Sequence, residues 1–443
     1  MKIRPLIRSA ALAAVMSSVL AAPSAFAQAK EQFFPLLTFR TGAYSPSGTP
    51  WANGFVDYFK LVNENGGING VKVIWEECET GYATDRGVEC YERLKGKHGG
   101  ATVFQTMSTG ITFALTEKAP QDGIPILTPG YGLSESADGT VFKWSFPIAG
   151  THWGSADTQL QYVASRVGGL DKLKGKKITL LYHDSPYGKE AIAVLTKRAE
   201  LHGFDLTLIP VPHPGVEQKS AWLRIRQTRP DFVLLWGWGV MNSTAIKEAQ
   251  ATDFPRTKLI GVWPSGSESD VKGVDGATGY TAVLIQPGPG ADSKIAKKVL
   301  STLHANGKGS GPKEEVGEAL YMRGLMNAMF AVEGVRKAQE RFGKGKVMTA
   351  AQARWGYENL DFDQKKIEAA GLEDVISPFA TTCTDHMGPS FARAYKWDGK
   401  EWKHDSGWLK ADMSILQPMI KAAASKYAAE KKIPVRGADD CKS

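Results

Sequence analysis

The sequence lacks most of what would mark an enzyme, a membrane protein or a nucleic-acid binder. It has no G-x-S-x-G elbow, no H-E-x-x-H pair and no phosphate loop ending in Gly-Lys-Ser/Thr. His183-Asp184-Ser185 contains the residue types of a hydrolytic triad, but triad members converge through the fold and not as consecutive residues. His386 and His404 have no partner at metal-ligand spacing, and the cysteine spacings match no zinc site. These absences argue against an enzyme, and neither a cofactor nor a metal is expected. After the N-terminus no stretch approaches 18 apolar residues, which excludes a confident membrane-spanning helix. The 54 Lys and Arg are scattered among 46 Asp and Glu rather than gathered on one stripe. Nucleic-acid binders show such gathering, so none is expected here.

The N-terminus reads as a secretory signal over residues 1–27. Lys2, Arg4 and Arg8 form its basic start, Ala10 to Ala22 a short apolar run, and Ala25-Phe26-Ala27 a small-x-small cleavage pattern. An uncleaved anchor is the competing reading. No cysteine follows the cleavage point, so a lipid anchor is not expected. Losing Lys2, Arg4 and Arg8 takes the formal net charge from +8 to +5, a mildly basic surface that favours anionic solutes slightly. Cysteine is scarce but even in number: Cys78, Cys90, Cys383 and Cys441. In an exported chain that implies disulfides. Of three connectivities we take the two local ones, Cys78–Cys90 and Cys383–Cys441.

The chain from residue 28 on alternates short β-rich runs with helical spacing. Strands are expected at 34–39, 71–75, 102–105 and 124–127, and in a second series at 178–182, 206–211, 232–236 and 259–262. Helices lie between them, and only helices are expected from 280 to about 358. Phe391 to Lys403 reads as a hairpin turning at Asp398-Gly399, and 412–431 as a helix. Runs such as Phe-Val-Leu-Leu-Trp (232–236) are nearly continuous in apolar residues, as in parallel strands covered on both faces. Two such series imply an α/β chain with two doubly wound parallel-sheet lobes.

In open α/β sheets ligands bind at the carboxyl ends of the strands. In the first series these ends carry hydroxyls and glycines: Thr41 to Gly48 leading to Trp51, then Thr106-Met107-Ser108-Thr109-Gly110, then Thr128-Pro129-Gly130-Tyr131-Gly132. Hydroxyls and free N–H groups opening a helix suit a carboxylate, and each turn taken alone also reads as ordinary helix capping. The second series ends in rings: Ser185-Pro186-Tyr187-Gly188, Trp236-Gly237-Trp238-Gly239 and Trp263-Pro264-Ser265, with Trp153 near the junction. Flat aromatic walls with few polar groups describe a small-ligand pocket; packing of partly buried rings is the plainer reading. The candidate ligand-binding residues are therefore Tyr44, Trp51, Ser108, Thr109, Gly130, Tyr131, Gly132, Trp153, Tyr187, Trp238 and Trp263.

These ends, with Asn63-Glu64-Asn65-Gly66-Gly67-Ile68-Asn69-Gly70, Gly123 to Pro129, Asp184 to Gly188 and Arg229 to Val233, resemble the periplasmic binding proteins of branched-chain amino acid ABC importers. The resemblance covers about residues 33–410. It implies a type I periplasmic binding fold whose lobes, joined by a three-stranded hinge, shut on a ligand. It implies lobe I at 28–149 plus about 286–385, and lobe II at 150–285 plus about 386–443. Thr109 and the Gly130 to Gly132 turn match the ligand-carboxylate holders of such proteins, and Trp51 and Trp238 match lining positions. The implied partners are a small-molecule ligand and an inner-membrane ABC permease, for a monomer in the periplasm. A sensor on this fold is the alternative class, and no fused signalling domain is visible.

One departure shapes the ligand expectation. Amino acid binders place a Glu after the strand near Leu259 to pair with the ligand ammonium. Here Gly261-Val262-Trp263-Pro264-Ser265 carries no acid before Glu268. A buried ammonium without a partner is costly. The expected ligand is therefore a small hydrophobic or aromatic carboxylate, stacked on Trp238 and Trp263. Amino acids, held by cation–π contact, are the second reading.

Overall fold

The computed structural model describes Met1 and residues 30–441; apart from Met1, the leader expected at 1–27 lies outside the described residues. β1 (Glu31–Thr38) leads into α1 (Ser45–Glu64) and then β2 (Lys72–Glu79), and the two strands pair in parallel along their whole length. After α2 (Thr84–Leu94) the strand expected at 102–105 pairs only at single points, Leu36 with Gln105 and Phe104 with Ile126. Then follow α3 (Thr109–Leu115), α4 (Ala119–Asp122) and two two-residue strands, β3 (Ile126–Leu127) and β4 (Ser145–Phe146), again parallel. On this side the eight-residue β1–β2 pair and the two-residue β3–β4 pair are joined only through the bridges at Phe104 and Gln105, after which the chain leaves as turns.

α5 (His152–Val167) carries the chain across to a larger sheet. Its strands and helices are β5 (Lys177–His183), α6 (Pro186–His202), β6 (Asp205–Val211), α7 (Lys219–Thr228), β7 (Phe232–Trp236), α8 (Val240–Ala251), β8 (Leu259–Val262), α9 (Glu268–Val271) and β9 (Thr281–Ile285). The chain returns through α10 (Lys294–Thr302), α11 (Ala319–Phe342), α12 (Ala350–Tyr357), β10 (Asp361–Phe362), α13 (Gln364–Ala370) and β11 (Phe379–Ala380). It ends with β12 (Phe391–Trp397), β13 (Trp402–His404), β14 (Leu409–Lys410) and α14 (Met413–Lys431). The large sheet has the order β13-β12-β9-β8-β7-β5-β6, parallel from β6 to β9, with β12 antiparallel to β9 and flanked in turn by antiparallel β13 and β14. β9 corrects the expectation of helices alone after residue 280. Its run Thr-Ala-Val-Leu-Ile is wholly buried between β8 and β12. Four apolar residues in a row after Thr281 carry no period that separates a buried strand from a helix; the neighbouring strands decide it.

α1 and α11 touch backbone to backbone, and glycine makes that contact. A Cβ on Gly324 would lie 1.8 Å from the Trp51 carbonyl oxygen, and one on Gly54 2.0 Å from that of Tyr321. The crossing brings Trp51 on α1 beside the first turns of α11. Both expected disulfides form: Cys78–Cys90 joins β2 to α2, and Cys383–Cys441 ties down the chain's end. Closing the first, 12-residue separation is worth about 3 kcal/mol in the chain-entropy account. α14 packs Ala424 and Ala428 against Val141 and Phe142 of the first-sheet side. Among the described residues no helix is long and apolar enough to cross a membrane, and no cluster of three or more His, Cys, Asp or Glu could hold a metal.

Candidate functional site

The strand ends of the two sheets meet around one narrow, nearly shut cavity of about 10 Å³. Trp51, Ser108, Thr109, Tyr131, Tyr187, Trp238 and Trp263 line it, together with Tyr82, Met107, His152 and Pro264. Tyr44, Gly130, Gly132 and Trp153 stand behind or beside this lining.

On the first-sheet side, Ser108 caps α3, its Oγ accepting from the Ile111 N–H at 3.4 Å. Capping, the plainer reading of this turn, therefore occupies the Ser108 hydroxyl. Thr109 Oγ1 accepts from the Gly132 N–H at 3.4 Å and lies 3.1 Å from His152 Nε2, which joins two turns to the start of α5. Tyr131 Oη accepts from the Met107 N–H at 3.0 Å. Gly130 has φ +81°, in the left-handed region that favours glycine, and its carbonyl faces the opposite lobe.

On the second side, Trp263 Nε1 donates to that Gly130 carbonyl at 3.0 Å, a bond across the cleft. Tyr187 Oη donates to the Gly237 carbonyl at 3.2 Å. Trp236 is fully buried and donates to Gln159 Oε1 at 2.8 Å, so it is a core residue. Trp238 is different: its indole N–H is buried and has no partner among the described residues. The rings meet edge to face, Trp51 with Trp263 at 5.8 Å, Trp51 with Tyr131 at 5.4 Å and Trp238 with Trp263 at 5.9 Å. This is the arrangement aromatic quadrupoles prefer.

Further contacts shut the mouth. Tyr44 Oη bonds to His183 Nε2 at 2.9 Å and to His213 Nδ1. Glu190 of α6 accepts from the Ser134 N–H at 3.2 Å. Gly239 lets the first-sheet loop approach, since a Cβ there would lie 2.8 Å from the Tyr44 ring. His183 is held at about 4 by burial and by nearby His213, and His152 at about 3 by burial and by Arg323. Burial, with Glu135 nearby, pushes the Glu190 carboxyl up to about 8. His183 thus lies on a contact between the lobes, with a buried Nδ1 that has no partner among the described residues.

Sequence reasoning passed over Tyr82, Met107, His152 and Arg323. Tyr82 lies three residues past the end of β2, which runs beyond the strand expected at 71–75, His152 opens α5, and Met107 lies inside the 106–110 turn. Arg323 sits inside α11, four residues into a helix, where an arginine normally reaches solvent; only 2% of it is exposed.

With this geometry in place, comparison with known proteins becomes informative. Residues 31–401 match the family model described as periplasmic binding protein. The chain belongs to that family. Its fold is the type I periplasmic binding fold, and an abc transporter permease structure from the Pseudomonas fluorescens group shares it at TM-score 0.86. That chain is 40% identical, and the match covers 92% of this chain and 99% of that one. Leu/Ile/Val-binding protein homolog 3 of Brucella melitensis is 21% identical over 306 residues, 68% of this chain and 77% of that protein. A solute-binding protein of an R. palustris ABC transporter, solved in complex with benzoate, has TM-score 0.65 at 17% identity, covering 87% of this chain and 99% of that one. It shares the fold of this periplasmic binding protein.

Proposed function

We propose that the chain is the periplasmic solute-binding component of an ABC importer, exported by cleavage after Ala27, and that it captures a small aromatic or hydrophobic carboxylate without transforming it. The two lobes, 28–149 with about 286–385 and 150–285 with about 386–443, shut by a hinge of three crossing segments. The carrying observation is the cavity wall: six Trp and Tyr rings (Trp51, Tyr82, Tyr131, Tyr187, Trp238 and Trp263), Thr109 and the unpartnered Trp238 N–H line it, and no carboxylate does. An apolar ring would replace the ring-to-ring contacts of the closed site, and its acid group would accept from donors left over. An ammonium would find no acid there: Glu268, the first acid after Trp263, turns away to accept from the Ala319 N–H at 3.0 Å. The unmatched cost of burying that charge disfavours a zwitterionic amino acid. The partner is an inner-membrane permease, to which the ligand is delivered unchanged.

Thermal melting of the purified protein against benzoate, 4-hydroxybenzoate, hexanoate, leucine and valine tests this. A ligand at a hundredfold excess over its Kd stabilises by about 2.7 kcal/mol. Stabilisation by an aromatic or aliphatic acid, with one-to-one calorimetric binding and unchanged ligand recovered, is expected. Stabilisation by leucine or valine alone would replace the reading with amino acid transport, and turnover of any ligand would end it.

A further inference from the structure

Behind the cavity wall lies a charge that the proposed function does not use. Arg323 is 2% exposed and has no carboxylate ion pair among the described residues. Its Nη2 donates to the Ile285 carbonyl at 2.7 Å, and its Nη1 has no partner among the described residues. The guanidinium carbon sits 4.0 Å from the ring centre of Trp263. A Cβ on Gly130 would lie 3.0 Å from Nη1. The cation is thus packed under the Gly130 turn of one lobe and the Trp263 indole of the other, at the point where their bond closes the cleft. Nearby, His152 feels it as a repelling positive charge.

A guanidinium is among the costliest groups to bury without an anion. α11 could carry an apolar residue here with the same packing against Ile285 and Trp263, so packing alone gives no reason for the charge. Its field points into the cavity through the indole, with no acid in the lining to offset it. Water is nearly excluded there, so the field is weakly screened. It attracts a guest's negative charge and repels a positive one. It also engages the π face of Trp263 that a guest ammonium would otherwise use.

Resting on the reading of the cavity as a carboxylate site, we propose that Arg323 is the specificity-determining residue that makes this site select monoanions over neutral and cationic ligands of the same shape, acting through Trp263 as a fixed positive charge behind the wall. It is a positioning residue as well, since it holds the Trp263 ring.

The test compares three probes of one shape and three charges: benzoate, benzamide and benzylamine, by calorimetry on wild type, Arg323→Met and Arg323→Lys. Wild type is expected to prefer benzoate over benzamide by about tenfold or more and to reject benzylamine. Arg323→Met is expected to bring benzoate and benzamide within about twofold, whereas loss of ring positioning alone would weaken both equally. Arg323→Lys keeps the charge without the plane, so it is expected to retain most of the preference even if overall affinity drops. Should Arg323→Met fail to fold, the Lys variant still decides: a preference lost with the charge kept overturns the proposal. So does a wild type that binds benzoate and benzamide alike. If wild type binds none of the three probes but binds leucine, the carboxylate reading has failed, and the inference falls with it.

Discussion

The two walls of the cleft are built in opposite ways. The large sheet pairs its strands in continuous parallel register from β6 to β9, and it presents side chains: Tyr187, Trp238 and Trp263 stand at or just beyond its strand ends. On the small-sheet side β1 and β2 pair over eight residues, but the segments that lead into the turns at 106–110 and 128–132 pair only at isolated bridges and a two-residue strand, and those turns present backbone and hydroxyls. Continuously paired strands spend their polar backbone groups on each other, so side chains are what their ends present. Strands that stop early release carbonyls and N–H groups at the site. The difference teaches that shortness on one side is what supplies polar groups to a cavity otherwise walled by rings.

That contrast can be broken at its strongest point first. Trp263→Ala removes a ring, the bond to Gly130 and the cover over Arg323. Affinity for the ligand class found by melting is expected to fall by about 2–4 kcal/mol, roughly 30- to 1,000-fold in Kd; a loss under fivefold would mean the ring wall does not hold the guest. On the backbone side, Gly130→Ala sets a Cβ 2.5 Å from Ile285 Cδ1 at a φ of +81°. This displaces the carbonyl that Trp263 needs, and a loss of about tenfold in Kd is expected from strain of about 1–2 kcal/mol.

The pH profile sharpens the comparison, because titrating groups sit on the closure contacts. His152 and His183 are held at about 3 and about 4 in the closed cleft, against an ordinary 6.5. Their support for closure is complete above pH 6.5 and is lost as pH falls through 6.5 toward 4. Glu190 has the opposite sign: raised to about 8 from an ordinary 4.5, its support is complete below pH 4.5 and is lost as pH rises to 8. Between 4.5 and 6.5 two histidines outweigh one carboxyl, so calorimetric affinity should peak near pH 6.5, and Glu190→Gln should remove only the alkaline fall. The smallest effect is expected from Thr109→Ala, about 1 kcal/mol or roughly fivefold in Kd, with the melting temperature of the free protein nearly unchanged. A Thr109 effect larger than that of Trp263 would reverse the assignment of the two walls.

Much of the fold was legible beforehand, and the reasons are local. Phe232 to Trp236 is a buried strand because five apolar residues bounded by Asp231 and Gly237 fit little else. Tyr187-Gly188 opens α6 behind Ser185, whose Oγ accepts from the Gly188 N–H. Thr281 to Ile285 was missed because its apolar run has no distinguishing period, and pairing from both sides made it a strand. In the site, the rings at strand ends could be read from Gly-flanked Trp and Tyr. His152 and Tyr82 could not, because they reach the cavity from a helix start and from the turn after a strand longer than the one expected.

The alternation of apolar runs and the turn glycines determined by themselves an α/β chain with two series of strands, hydroxyls at the ends of one and rings at the ends of the other. These are near-neighbour properties, set by steric and burial preferences within about a dozen residues of chain. Only the tertiary structure decided that Gly324 presses on Trp51, that Trp263 reaches Gly130 and that Arg323 lies beneath both. Those contacts join residues far apart in sequence. Their geometry depends on how closely two helices and two sheets can approach, a quantity no single segment carries.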